Sequence, residues 1–309
     1  MTSTGKPLQD LFGRPVNSLR ISLTQRCNFS CFFCHREGET NPNGEMTAEE
    51  VEAIVSVASD LGIRKVKLTG GEPLLRDDII KVVSMISPLV EEVSMTTNAS
   101  TLEDKAATLR RAGLGRVNIS LHSARREVFR EITGVDALSD VERGVKAALE
   151  NGLSPVKLNM VVMNGVNSSE IPEMIEFSHR SGTVLQLIEF QPIQDGARNW
   201  DRYNYDLRTI EDILMKSAVE VRERELHRRK LYRLKGGGVV EVVRPMHNSE
   251  FCLFCTRLRV TSDGRFKPCL MRDDNLVEAV SLLRKGANGS ELNQALRDAV
   301  AKREPFWRD

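Results

Sequence analysis

Six cysteines carry most of the chemistry this sequence offers, and they fall in two groups of three. Cys27, Cys31 and Cys34 lie in RCNFSCFFC with C-x3-C-x2-C spacing; Cys252, Cys255 and Cys269 lie in FCLFCTRLRVTSDGRFKPC with C-x2-C-x13-C spacing. Closely spaced thiolates in a chain whose start lacks a signal-peptide pattern point to metal before disulfide. A structural zinc site normally closes with four protein ligands. An iron–sulfur cubane has four iron corners, normally held by four thiolates. Three thiolates per group leave one iron open for a small molecule. Three readings are weaker: zinc completed by His35 or His247, cysteines that are merely buried apolar groups, and a thioredoxin-like Cys-x-x-Cys. The last leaves Cys27 and Cys269 unexplained.

Such loops need a scaffold. A β-rich run, SLRISLT (18–24), leads into the first cysteine loop, and Thr47-x-x-Glu50 is a capping box followed by Val51, Ile54, Val55 and Ala58 at helical spacing. Strand-like stretches recur at 64–69, 92–97, 116–121, 156–162 and 184–190, separated by helix-like stretches at 79–86, 101–112, 138–150 and 170–181. This alternation predicts right-handed βαβ units and a parallel sheet of the α/β class, with the chemistry at the carboxyl ends of the strands. Polar residues gather there: the cysteine loop, Thr69-Gly70-Gly71-Glu72-Pro73, Thr96-Thr97-Asn98, Ser120 and His122, Asn159 and Asn164, and Glu189. Past about residue 200 the texture changes. Residues 192–205 read as a linker, and 222–235, with seven Lys/Arg against two acids, as a solvated strand edge. The expected division is 1–200 and 201–309.

Composition excludes several classes. The 309 residues are 40% hydrophobic, enough for a sizeable core, and no run of eighteen apolar residues could span a bilayer. Lys+Arg 44 against Asp+Glu 43 leaves +1, so no global field favours nucleic acid or an anionic membrane. A cytoplasmic location is expected.

The combination of RISLTQRCNFSCFFC after the first strand with KLTGGEPLLRDD after the second resembles the radical S-adenosylmethionine (SAM) enzymes. The second cysteine group, with its C-T-R-L-R run, resembles one branch of them, the GTP 3′,8-cyclases of molybdenum cofactor biosynthesis. The resemblance implies a partial (βα)6 TIM-like barrel and a smaller C-terminal α+β region. It implies two [4Fe–4S] clusters, one on Cys27, Cys31 and Cys34 with SAM on its open iron, the other on Cys252, Cys255 and Cys269 beside the nucleotide. A 5′-deoxyadenosyl radical takes the ribose 3′ hydrogen of GTP in that family, and C3′ joins C8 of guanine.

By the same resemblance Phe33, Gly70, Gly71, Ser120 and Gln191 contact SAM, the glycines letting backbone pass close to its methionine part. Arg20, Lys67, Thr96, Lys157, Arg257, Leu258 and Arg259 contact GTP, with Lys65 a further candidate, and no catalytic side chain is implied beyond the cluster ligands. An external one-electron donor and a downstream cyclic pyranopterin monophosphate synthase are implied partners. The sequence departs from the family's bacterial pattern at Gln191 for methionine, Gln186 and Lys67 for arginine, and in ending REPFWRD rather than Gly-Gly. His35 is expected to be a surface loop residue. Alternation predicts that Arg257 and Arg259 point the same way, into the substrate cavity.

Overall fold

Largely buried strands and apolar stripes on the helices produce a layered α/β structure, described by a computed structural model over residues 8–40 and 42–308. The first half alternates as expected: β1 (Ser18–Ser22), α1 (Ala48–Asp60), β2 (Lys65–Thr69), α2 (Ile79–Ile86), β3 (Glu92–Thr97), α3 (Ala106–Arg111) and β4 (Leu114–Ser120). Then follow α4 (Arg126–Thr133), α5 (Leu138–Glu150), β5 (Lys157–Val162), α6 (Ile171–Arg180) and β6 (Val184–Glu189). The capping box forms at α1, Glu50 N–H donating to Thr47 Oγ1 at 3.2 Å and Thr47 N–H to Glu50 Oε2 at 2.8 Å. Val51, Ile54, Val55 and Ala58 are buried in the core.

After residue 200 come α7 (Trp200–Tyr203), α8 (Arg208–Ser217), β7 (Ala218–Glu223), β8 (Lys230–Leu234), β9 (Val239–Val243) and α9 (Ser249–Leu253). The chain closes with β10 (Arg257–Val260), β11 (Arg265–Lys267), β12 (Val277–Glu278), α10 (Val280–Arg284) and α11 (Gly289–Ala301). These later strands do not make a sheet of their own. One 12-stranded sheet runs β12-β11-β10-β1-β2-β3-β4-β5-β6-β9-β8-β7. β10 pairs parallel with β1, and β9 parallel with β6, so a parallel strand is added at each edge of the six. Side chains of β10 and Val243 of β9 line one cavity. A flat sheet would hold those strands seven spacings apart, about 33 Å, so the sheet curls around that cavity as a partial barrel.

Two features unread from the sequence brace the cysteine loop. Helix α4 ends on left-handed Gly134 beside Ser30, the Ser30 N–H donates to Thr133 O at 2.9 Å, and Phe129 meets Phe29 edge-on at 5.9 Å. The supposed linker contains a 3-10 turn (Gln194–Asn199) and α7, and its Trp200 and Tyr203 pack with Phe190 beneath Phe32 and Phe33. Those aromatics argue against a solvated linker.

Candidate active site

All six cysteines line a single cavity of about 370 Å³. All are free thiols. Burial pushes the Cys31 thiol up to about 12, with Cys34 and Cys27 adding to the rise, and Cys27 and Cys34 are also raised by burial. Three thiols whose proton affinity is raised chiefly by burial form a soft donor set that a metal cluster would ionise. In the second group, burial raises Cys269; burial also opposes ionisation of Cys255, yet Arg303 and Arg257 bring that thiol below its ordinary value. Arg303 and Arg14 donate to the carbonyls of Cys255 and Cys252, the latter at 2.9 Å, and the Trp307 N–H faces Cys252 Sγ at 3.5 Å. His247 packs on Trp307 at 4.1 Å and does not itself line the cavity.

Glycines 70 and 71 are required by the packing of the turn itself. A Cβ on Gly71 would meet Arg26 O at 2.2 Å, and one on Gly70 would meet Thr24 O at 2.4 Å. The close approach is between this turn and the cysteine loop's own backbone. The adjoining Glu72 is wholly buried, accepting from Thr97 Oγ1 at 2.6 Å, the Asn98 N–H at 2.6 Å and the Leu74 N–H at 3.0 Å. It ties the turn to the end of β3.

The expected strand-end residues Phe33, Thr96, Ser120, His122, Asn159, Glu189 and Gln191 do line the cavity; Asn164 does not. His122 stands edge-on to Phe33 at 4.9 Å, and its Nδ1 accepts from the Val161 N–H at 3.2 Å, which places the ring proton on Nε2. Burial lowers its pKa to about 4, so the ring is neutral. Burial also raises Glu189 to about 7, although the Met246 N–H donates to its Oε2 at 2.9 Å.

Cations make up much of the rest of the lining. Arg20 and Arg259 share the buried carboxylate of Glu37, with contacts of 2.8 Å from Arg20 Nε and 3.0 Å from Arg259 Nη1. Burial opposes the Glu37 charge, but Arg20 and Arg259 hold it well below the usual carboxylate range. Lys67 donates to Asn118 Oδ1 at 2.8 Å and Lys157 to Glu241. Arg257, deep in the cavity wall, has no ion pair and no side-chain hydrogen bond among the described residues; burial, then Arg259 and Arg20, press its pKa far down. A partly buried guanidinium whose one favourable neighbour is the Cys255 thiol is short of counter-charge, so this one marks a place for an anion.

Two expected side chains lie outside the cavity lining. Leu258 turns its side chain to the opposite face of β10 and into the core, because neighbours along a strand alternate. Lys65 is exposed and outside the cavity. Conversely, Arg116, Arg224, Arg229, His35 and Glu37 line the cavity and were missed. Alternation from Asn118 and Ser120 back to Arg116 would have found the first. His35 is a cavity residue whose Nδ1 accepts from the Glu37 N–H at 3.0 Å, correcting its expected surface place.

Fold and cysteine pattern define a radical SAM protein. The family model described as "Radical SAM superfamily" matches residues 21–178, and "Molybdenum Cofactor Synthesis C" matches 183–308. A "Probable GTP 3′,8-cyclase" of Thermococcus kodakarensis is 52% identical over 97% of this chain and 100% of that protein, and one of Archaeoglobus fulgidus is 44% identical over 97% and 99%. The chain belongs to the GTP 3′,8-cyclase family. Among solved structures, Streptococcus suis SuiB bound to precursor peptide SuiA shares the fold, with TM-score 0.61, 18% identity, and coverage of 83% of this chain and 60% of that one. Native anSMEcpe with bound AdoMet matches with TM-score 0.58 and 18% identity over 82% and 74%. Membership implies SAM and an iron–sulfur cluster, and Cys27, Cys31 and Cys34, free thiols lining one cavity, are the soft donors such a cluster takes. Among the described residues no helix is long and apolar enough to cross a membrane.

Proposed function

We infer that this chain converts GTP to (8S)-3′,8-cyclo-7,8-dihydroguanosine 5′-triphosphate, the first step of molybdenum cofactor biosynthesis. The observation that carries this reading is the unpaired Arg257 in a cavity shared by both cysteine groups. A cationic wall suits a triphosphate, and a second three-cysteine group has no use in SAM cleavage alone.

When bound, the reduced cluster and SAM supply a carbon radical that abstracts hydrogen. The protein's part is placement. Cys27, Cys31 and Cys34 would hold the first [4Fe–4S] cluster, and Cys252, Cys255 and Cys269 a second one beside the guanine. Phe33, Ser120 and Gln191 would contact SAM, with Gly70 and Gly71 shaping the loop. Arg20, Lys67, Thr96, Lys157, Arg257 and Arg259 would hold the nucleotide. Residues 1–200 are assigned to SAM cleavage and 201–309 to the second cluster and nucleotide. The enzyme would work in the reducing cytoplasm with an external one-electron donor and pass its product to a cyclic pyranopterin monophosphate synthase.

The test is anaerobic incubation of reconstituted protein with GTP, SAM and dithionite. The expected result is about eight irons per chain, 5′-deoxyadenosine and a cyclised nucleotide of unchanged phosphate count by mass spectrometry. SAM cleavage with intact GTP in a fully loaded protein would refute the assignment.

A further inference from the structure

The basic run at 222–235 splits into two kinds of residue. Arg222, Arg228 and Arg233 are surface side chains with surface partners, pairing with Glu220, Glu223 and Glu220 respectively. Arg224 and Arg229 turn the other way, into the cavity. Both approach one buried carboxylate, Glu241 on β9: Arg229 Nη1 at 3.2 Å from Oε1 and Arg224 Nη1 at 3.8 Å from Oε2. Lys157 already pairs with that carboxylate, and Gln186 Nε2 donates to it at 2.8 Å. Three cations therefore meet one anion.

A buried carboxylate needs one counter-charge. A second cation held in the wall, Arg229, is costly there unless another anion completes the group, and Arg224, half in solvent, adds a third positive charge beside it. The backbone holds them in place regardless. Arg224 follows β7 and Arg229 precedes β8, and the Arg224 N–H donates to Arg229 O at 2.9 Å, so one end of the hairpin presents both. Between them His227 and Arg228 adopt left-handed φ of 65° and 49°, uncommon for residues with a Cβ. The His227 N–H donates to Phe254 O at 2.8 Å, and its ring stacks on Phe251 at 3.7 Å. The strained turn is thereby pinned to the second cysteine loop.

We propose that Arg224 and Arg229 are polyphosphate-binding residues, gripping a nucleoside triphosphate together with Lys157, while Glu241 holds the three cations together before the nucleotide arrives. This rests on the GTP reading above and adds to it a second cationic face, on the β6–β9 side, across from Arg257 and Arg259 of β10. Burial, offset in part by Glu241 and deepened by Arg224, lowers Arg229 from its ordinary value, as expected for a cation short of counter-charge.

The experiment measures equilibrium binding of GTP, GDP and GMP to the anaerobically reconstituted protein. Arg224→Gln, Arg229→Gln and Arg229→Lys are compared with the parent and with Arg233→Gln. Arg224 is 40% exposed, so its replacement leaves the core packing intact. Each glutamine variant is expected to weaken GTP binding by at least about tenfold, about 1.4 kcal/mol, with GMP affinity held within about threefold. Arg229→Lys should recover most of the loss, and Arg233→Gln should bind as the parent does. Equal binding of GTP by parent and glutamine variants would overturn the proposal, as would equal losses of GTP and GMP, which mean a structural role. A parent that binds no GTP would instead refute the underlying reading.

Discussion

Replacing Glu37 by Gln tests whether the cationic wall is prearranged for an anion. Glu37 is buried, and it accepts from Arg20, Arg259 and, at 2.9 Å, from Thr69 Oγ1. Glutamine keeps the shape and removes the charge, leaving two guanidinia buried without a counter-ion. Breaking a buried pair from one side costs about 3–5 kcal/mol, which at ~2 °C per kcal/mol lowers the melting temperature by roughly 6–10 °C. Because the folded-state pKa of Glu37 is depressed, its contribution is fully present above the unfolded carboxylate value of 4.5. The gap between parent and Glu37→Gln should hold steady through neutral pH and narrow as pH falls below that value. GTP should narrow it too, its phosphates replacing the lost carboxylate, so saturating GTP should raise the variant's melting temperature more than the parent's. Calorimetric melting with and without GTP checks this. Equal melting of the two proteins, or an equal GTP shift in both, would refute the reasoning.

Serine at Cys27, Cys31 or Cys34 should abolish 5′-deoxyadenosine formation, a hydroxyl being a poor ligand for iron; serine at Cys252, Cys255 or Cys269 should abolish cyclisation but leave some uncoupled cleavage, both read by chromatography. Gly71→Ala puts a methyl group 2.2 Å from Arg26 O, and should cost about 1–3 kcal/mol or more and lower iron content, measured by melting and metal analysis. Arg257→Ala should weaken GTP at least about tenfold while costing the nucleotide-free protein little, since the arginine makes no ion pair or side-chain hydrogen bond among the described residues and its one favourable neighbour is the Cys255 thiol.

Local pattern made much of this legible. Capping at Thr47, the alternation of six strands with helices and most of the polar strand ends depend on residues near one another in sequence, and they appear where expected. Helix α4 was missed because its mostly polar sequence, REVFREIT, has few apolar anchors. The packing role of Gly70 and Gly71 was not legible because the atoms that forbid a Cβ come from residues 24–26, more than forty positions earlier. Arg224 and Arg229 look like their neighbours in the run; only the position of Glu241 across the hairpin separates them.

The least legible feature is the pairing that organises the site. β10 lies parallel to β1, placing Arg259 beside Arg20, and β2 on the other side places Lys67 beside Arg20. Residues in register on adjacent parallel strands share a face, so three cations form a row about 10 Å long. Like charges so arranged destabilise a sheet, and Glu37 reaches from the cysteine loop to offset two of them. The same pairing separates the cysteine groups. The Cys27 loop leaves the carboxyl end of β1, whereas Cys255 precedes β10, at the amino end of the parallel pair. β11 runs back antiparallel with Lys267 opposite Arg259, so Cys269, two residues on, returns to the level of Arg257. The rule that chemistry sits at carboxyl strand ends thus holds for the first group only. Five residues of β1 at about 3.3 Å each set the groups roughly 16 Å apart, and the cationic row crosses the interval. A ligand held by that row must lie between the two sets of thiols, one end toward each.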